Sequence, residues 1–421
     1  MISIQHLAAN PHIYQEELLK RGKSPDLALE LAKLYEEYKT VLQKTEKMRA
    51  EKNDFNKKAV KLDGEAKQVA ILEMKKLAEN LKKTEEDLKM LKEKLDEMIL
   101  KIPNLSSPQT PKGKDDTDNP VIKHFGQKKE FQFKPKPYYE LDVYQKYVSQ
   151  KDGVKAMGSR GYYMTGKMAN FQRVLFNYAL DIVLKEGFEL FYVPLMLNDK
   201  VLTGTGHLPD FDGQQYEVNI NENTSYYLVG SSEPSIMGYY MNKNLGRLEK
   251  PILNTCQSSC FRKEAGSYGK DQQGILRVHQ FEKLEMVAIA KKDEALALFE
   301  KFQEIVEKIY SGLEICYQAV EVCSGDMPSK HYRQIDYEAW FPGENKFREI
   351  CSNGNASDFQ NRGLNIFYID ENGQKQTPWG LNCTAITFRT GLAILEQNQT
   401  ADGKVKLPNV LVDSFGSQWL E

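Results

Sequence analysis

The chain has no apolar run near the ~18 residues that a membrane-spanning helix requires. Its first residues, MISIQHLAANPHIY, lack a basic stretch followed by an apolar one. No secretory signal is therefore expected, and the expected location is cytoplasmic. An excess of positive charge is missing too. The 57 Lys and Arg stand against 59 Asp and Glu, a net charge of −2. That balance argues against nonspecific DNA binding by the whole surface and leaves local RNA contact open. Cysteine is scarce: six occur in 421 residues, all between Cys256 and Cys383, and none forms CxxC. Cys256 and Cys260 are four apart with no paired His-x-x-x-His following, so reduced buried thiols are expected and no zinc. One apparent phosphate loop fails as well. Gly161 to Lys167 fits GxxxxGK, but Met168 follows where a magnesium-binding hydroxyl is needed, and three bulky residues crowd the loop amides.

What is present divides the chain. From Leu27 a mostly apolar seam steps by four and three through Leu31, Leu34, Tyr38, Val41, Thr45, Met48, Lys52 and Phe55. A second runs through Met74, Leu77, Leu81, Thr84, Leu88, Leu91, Leu95 and Met98. This is coiled-coil spacing, with Asp63-Gly64 able to supply a turn. Two antiparallel helices of ~36 residues, each roughly 54 Å long, are predicted, with position 39 facing position 88. No second apolar face is provided, so the hairpin should project. Lys52, Lys57, Lys58, Lys61, Lys67, Lys75 and Lys76 cluster toward its tip. They suit either a solvated coiled-coil surface or a finger laid on an RNA backbone. Residues 102–120 hold four prolines without periodicity and read as a linker. Residues 121–421 mix helical and strand patterns. Lys167 to Glu186 carries one apolar stripe, and FELFYVPLM, containing Pro194, reads as an edge or interface strand.

The stretch CFRKEAGSYGKDQQGILRVHQFEKLE, Cys260 to Glu285, reads as strand, Gly-containing loop, strand. Side chains two apart share a strand face. Arg262 and Glu264 should therefore share one face, and Arg277, His279, Phe281, Lys283 and Glu285 another. Guanidinium forks suit phosphate oxygens and an aromatic plate suits a base. The plainer reading is an exposed hairpin with a salt-bridged polar face. Ser231 and Glu233 in YLVGSSEP would share a strand face, as carboxylate and hydroxyl partners for an ammonium or as a simple strand turn.

These residues, with FREICS…DFQNR (Phe347–Arg362), NCT…RTGLAILE (Asn382–Glu396) and GTGHLPDF (Gly204–Phe211), resemble class II aminoacyl-tRNA synthetases, the bacterial seryl type in particular. The motifs stand in family order behind the helical arm and cover nearly the whole chain. Ser231 stands where threonine is usual and His207 where glutamine is usual.

The resemblance implies an α+β fold. A tRNA-binding arm domain (1–101) and a linker (102–120) would precede a catalytic domain (121–421) with a six- or seven-stranded, mainly antiparallel sheet flanked by helices. It implies ATP-dependent activation of L-serine and its transfer to tRNA(Ser), and to tRNA(Sec) as a further expected substrate. By resemblance the catalytic residues are Arg262 and Arg389. The ATP site would use Arg262, Glu264, Arg277, Val278, Phe281, Glu349, Ser352 and Arg389. The serine site would use Ser231, Glu233, Arg262, Glu285, Asn382 and Thr384. Glu349 and Ser352 would hold Mg2+ with ATP, and a homodimer would form around the first motif helix and Pro194. Two rivals stay open: a ligase loading a small amino acid onto a carrier protein, and a catalytically silent paralogue that binds RNA or a partner through the arm.

Overall fold

The computed structural model describes residues 1–59, 64–221, 224–265 and 273–421. The expectations for Asp63, Lys61 and the Gly-containing loop at 266–272 lie outside the described residues. The chain forms two compact units, Ile2–Pro103 and Asn104–Glu421 together with Met1.

In the first unit, α1 (Ile4–Ala9) and α2 (Pro11–Lys20) precede two long helices, α3 (Asp26–Ala59) and α4 (Gly64–Ile99), of 34 and 36 residues. The seam is the expected one. Leu31, Leu34, Thr45, Leu81, Thr84 and Leu95 are buried in it. The two seam threonines satisfy their hydroxyls on their own helices, Thr45 on Val41 O and Thr84 on Asn80 O, so their polar atoms cost the interface little. The register differs from the expected one. Thr84 Oγ1 lies 3.8 Å from Met48 Sδ, and Arg49 pairs with Glu85 at 2.8 Å. These pairs carry Thr45 opposite Leu88 and move position 39 beyond it, because heptads fix which face is apolar but not how far one helix slides along the other.

The second unit is built on an eight-stranded sheet whose strands we number in chain order: β1 (Val121–Phe125), β2 (Glu189–Leu190), β3 (Ile252–Phe261), β4 (Gln280–Ala290), β5 (Tyr317–Glu321), β6 (Arg333–Phe341), β7 (Lys346–Ser357) and β8 (Trp379–Thr387). Their spatial order is β1-β5-β6-β7-β8-β4-β3-β2. All neighbours are antiparallel except β2, which joins β3 in parallel. The sheet thus exceeds the expected six or seven strands by a short edge at either side.

Strand alternation sorts the central residues into two layers. Leu284, Met286, Ala288 and Ala290 of β4, and Leu381, Cys383 and Ala385 of β8, enter the main core. Two helices supply its other side. In α5 (Gly166–Lys185) the buried residues include Met168, Phe171, Leu175 and Ala179. α6 is the short helix Glu233–Tyr239. In α7 (Lys292–Gly312) Ala295, Phe299, Phe302, Val306 and Ile309 repeat at helical spacing and are buried. The alternate residues of β4 and β8 face away from this core. Val287 and Ile289 join Ile236 and Met237 of α6 in a smaller cluster, and the polar ones line the site described next. The last helix is α8 (Phe388–Gln397).

The FELFYVPLM segment is not one strand. Only Glu189–Leu190 and Met196–Asn198 are strands, and Pro194 lies between them. A proline has no N–H for a ladder; instead Pro194 O accepts a 2.7 Å bond from Ser235 Oγ. Among the described residues no helix is long and apolar enough to cross a membrane. All six cysteines are buried and free.

Candidate active site

A cleft of about 550 Å3 opens on the polar face of the sheet. Ser231, Glu233, Arg262, Glu264, Arg277, Val278, Phe281, Glu349, Ser352, Asn382, Thr384 and Arg389 all line it. Of the expected site residues, only Glu285 does not.

Two backbone expectations need correction. β3 ends at Phe261 and β4 begins at Gln280, so Glu264 and Arg277 lie outside the strands. Glu264 has a positive φ of 53°. The two side chains nevertheless meet, Arg277 to Glu264 Oε2 at 2.6 Å. The segment before β4 is held from several sides. Leu276 N donates to Tyr138 Oη (3.0 Å), and Gly274 N donates to Gln150 Oε1 (3.1 Å). Arg160 donates to Arg277 O (3.0 Å), and Arg389 Nε donates to Leu276 O (3.1 Å). Gly274 is required here: φ is +72°, and a Cβ would fall 2.1 Å from Tyr138 Oη. His279, also expected on the strand face, instead points Nδ1 at Arg262 O (3.0 Å). Arg262 donates through Nε and a terminal nitrogen to Gly230 O, both at 3.3 Å, and its guanidinium lies 5.3 Å from the Phe281 ring centroid. That is cation–π range.

Glu349 and Ser352 share β7 but are three residues apart, a spacing that would put them on opposite faces of a regular strand. A bulge resolves this: Tyr337 pairs with Cys351 and Glu338 with Glu349, leaving Ile350 as the extra residue. Glu349 and Ser352 thereby reach one face, opposite Glu338 and Asp336. Burial, then the Glu349 charge, pushes the Asp336 carboxyl well above the usual carboxylate range. Arg389, in the first turn of α8, reaches Glu349 O at 3.1 Å and Glu349 Oε2 at 3.5 Å. A half-exposed carboxylate and a hydroxyl are hard oxygen donors that fit Mg2+ when phosphate oxygens supply further positions. Among the described residues no group of three or more His, Cys, Asp or Glu is arranged to hold a metal by itself.

Glu285 is fully buried. Its carboxylate binds Lys283 Nζ at 2.7 Å, Asn382 Nδ2 at 3.2 Å and Thr384 Oγ1 at 3.3 Å. Thr384 is its register partner across β8. The expected trio is thus assembled, but Glu285 stands behind Lys283, Asn382 and Thr384 rather than on the cleft wall.

Glu233 is not on a strand with Ser231; it begins α6. Ser231 Oγ accepts from Glu233 N (3.2 Å). The Glu233 carboxylate is almost completely buried and carries partners that sequence reasoning missed. Lys330 Nζ lies 2.7 Å from both oxygens, and Gln360 Nε2 is 2.6 Å from Oε1. Burial, the largest single influence, would raise this carboxyl, but the charge and hydrogen bond of Lys330 together with His207 and His331 outweigh it and hold Glu233 well below the usual range. His207 Nε2 stands 3.5 Å from Lys330 Nζ and 3.8 Å from Glu233. Thr205 Oγ1 gives its proton to a carbonyl of the preceding turn, so it accepts from His207 Nδ1 at 2.9 Å. That leaves the Nε2 lone pair facing Lys330. Burial, then Lys330, pushes His207 down to about 3 and His331 down to about 4. Gln360 lies within the DFQNR signature. Lys330 and His331 sit in SKHYR, which has no motif to flag them.

Known proteins resemble this chain along its whole length. Residues 1–106 match the seryl-tRNA synthetase N-terminal domain, and residues 216–398 match the tRNA synthetase class II core domain (G, H, P, S and T). The serine–tRNA ligase of Corynebacterium diphtheriae is 35% identical over 421 residues, covering 100% of this chain and 99% of that protein. That of Aliarcobacter butzleri is 36% identical over 414 residues, covering 98% and 99%. The crystal structure of seryl-tRNA synthetase from Pyrococcus horikoshii complexed with ATP superposes with a TM-score of 0.92 at 30% identity, covering 100% of this chain and 99% of that one. The cytoplasmic serine–tRNA ligase of Naegleria fowleri in complex with AMP gives 0.85 at 27% identity, covering 98% and 96%.

Proposed function

The chain belongs to the serine–tRNA ligase family, and from that premise we propose that it activates L-serine with ATP and transfers it to tRNA(Ser). The observation that carries the reading is one cleft in which Arg262, Arg277 and Arg389, from three parts of the chain, surround the same space as Phe281. That combination suits a triphosphate with its base stacked.

In the first step a serine carboxylate oxygen attacks the ATP α-phosphorus. The new O–P bond forms as the bond to pyrophosphate breaks. The carboxylate is already a nucleophile, so no activating Ser-His or Cys-His pair is needed. Catalysis is positioning and charge stabilisation. Arg262, fixed by Gly230 O and Phe281, clamps the α-phosphate, while Arg277 and Arg389 hold the distal phosphates. Val278 and Phe281 border the adenine, and Glu264 orients Arg277. Mg2+ bound with ATP would be held by Glu349 and Ser352 and would neutralise phosphate charge. Thr384 donates its own proton toward Glu285, so its lone pairs are turned to receive the serine hydroxyl. Asn382 and Lys283 complete that wall, and Glu285 acts through them. Glu233 and Ser231 form the seat for the α-ammonium. In the second step the 3′-hydroxyl of the terminal tRNA adenosine attacks the seryl carbonyl and AMP leaves. The arm, with Lys57, Lys67, Lys75 and Lys76 exposed, holds the tRNA backbone, and two copies of the chain form a homodimer.

Amino-acid-dependent ATP–pyrophosphate exchange, paired with tRNA charging, tests this. Exchange with serine and charging of tRNA(Ser) are expected. Robust exchange with alanine, glycine or threonine and none with serine would overturn the assignment. Exchange without charging would favour the carrier-protein ligase.

A further inference from the structure

The seat assigned to the substrate ammonium already contains one. Lys330 Nζ has two Glu233 oxygens at 2.7 Å and the His207 Nε2 lone pair at 3.5 Å. Three acceptors for three N–H groups is the set that any primary ammonium requires. Gln360 fills much of what remains on Glu233. The other carboxylate near the serine pocket, Glu285, is likewise taken by a lysine at 2.7 Å. A second ammonium cannot simply join the first. Its arrival would set two like charges close together beside a single buried carboxylate whose oxygens already accept from Lys330 and Gln360.

We infer that Lys330 is a built-in occupant of the ammonium seat, a plug whose ε-ammonium the α-ammonium of serine must displace, which makes it a specificity-determining residue. This rests on the reading of Glu233 as the ammonium receiver. The side chain is free to do this while its backbone stays in place. Lys330 O accepts from Asn104 Nδ2 at 3.0 Å, and the neighbouring Ser329 O accepts from Asn104 N at 2.7 Å. The four-carbon stem borders the open cleft and can swing into it. The exchange conserves charge, one ammonium for another, so Glu233 is never left buried and unpaired. A substrate lacking an ammonium cannot release the plug. The device therefore selects amino acids over hydroxy acids, and it weakens serine binding by the cost of breaking a buried pair.

Replacing Lys330 by Met in the full chain tests the plug. Serine-dependent pyrophosphate exchange should show KM for serine falling by about tenfold or more, with KM for ATP within about twofold. The non-hydrolysable seryl-adenylate analogue 5′-O-(N-seryl-sulfamoyl)adenosine should bind correspondingly tighter. The ligand-free variant should melt earlier, and serine should raise its Tm more than it raises that of the parent. A merely structural lysine would instead leave KM for serine unchanged or raise it, and either result overturns the plug while leaving serine activation standing. A parent inactive with serine alongside an active variant supports the plug and overturns the serine reading of the parent. If neither protein activates serine or binds the analogue, while both bind ATP, both ideas fall. Lys330→Gln, which keeps a hydrogen-bonding group without the charge, takes its place should the Met variant not fold. A structure of the parent with the analogue decides independently of any variant. The analogue's ammonium on Glu233 with Lys330 turned away supports the plug, and an intact Lys330–Glu233 pair beside bound analogue overturns it.

Discussion

Glu285 and Lys283 sit two apart on one strand face, and their pairing makes Glu285 more than a reader of the substrate. Glu285→Gln keeps the shape but strands Lys283, whose side chain is only 9% exposed, without a counter-charge. Breaking a buried pair from one side costs about 3–5 kcal/mol. Thr384 and Asn382 would lose a charged acceptor at the same time. The variant should melt earlier and show KM for serine raised by about tenfold or more, with KM for ATP within about twofold. Equal changes in both constants would remove Glu285 from the serine pocket. His207 makes a second residue-scale prediction. Its folded value, about 3, lies below the ordinary 6.5. Above 6.5 it is neutral both folded and unfolded, and its contribution is fully present. As the pH falls from there the unfolded chain takes up a proton that the native chain refuses, and the contribution is lost by about 3. Glu233, depressed by Lys330, adds loss in the same direction below its ordinary 4.5. His207→Gln can still donate to Thr205 and accept from Lys330 but does not titrate. Urea midpoints measured between about pH 7 and pH 4 should therefore fall less steeply for the variant. An unchanged slope would place the titration elsewhere.

The long helices α3 and α4 form an element with one job available to it. α1 and α2 pack against α3 and bury Leu7, Tyr14 and Leu18; beyond them its seam is narrow and its other faces are largely solvated. The observed register sets where it can be shortened, since Thr45 faces Leu88. Deleting Thr45 to Leu88 and joining the stub by a short turn should leave serine-dependent pyrophosphate exchange within about twofold and reduce tRNA charging by about a hundredfold or more. In the intact protein the KM for tRNA should rise with salt, as phosphate contacts require. Equal loss of both half-reactions in a folded variant would sink the idea of an arm dedicated to tRNA. The β7 bulge is the other decisive element. One extra residue at Ile350 places the Glu349 carboxylate and the Ser352 hydroxyl on the cleft face together.

At the scale of the whole molecule, Leu184, Leu190, Tyr192 and Met196 are exposed in one stretch of chain, Tyr192 at 92%. Apolar surface left open in this way suits a second copy of the chain. The intact protein is expected to sediment at twice the chain mass. Tyr192→Asp should shift it toward the monomer and lower pyrophosphate exchange with it. A parent that sediments as a monomer at working concentration would refute the dimer.

The arm, the helix at Gly166–Lys185, the strands ending at Phe261 and beginning at Gln280 and most of the cleft lining were legible in the sequence, because they follow local rules. Heptad spacing sets an apolar seam, and a period of two sends Phe281, Lys283 and Glu285 to one face and Leu284 and Met286 to the other. The helix register, the position of Arg277 off the strand and the bulge at Ile350 were not legible, since each depends on how one element slides or kinks against its neighbour. Least legible was the partner of Glu233. Lys330 lies 97 residues away in sequence and carries no motif. Only the folding of the segment before β6 against the start of α6 brings the two charges together, and burial then forces them to pair.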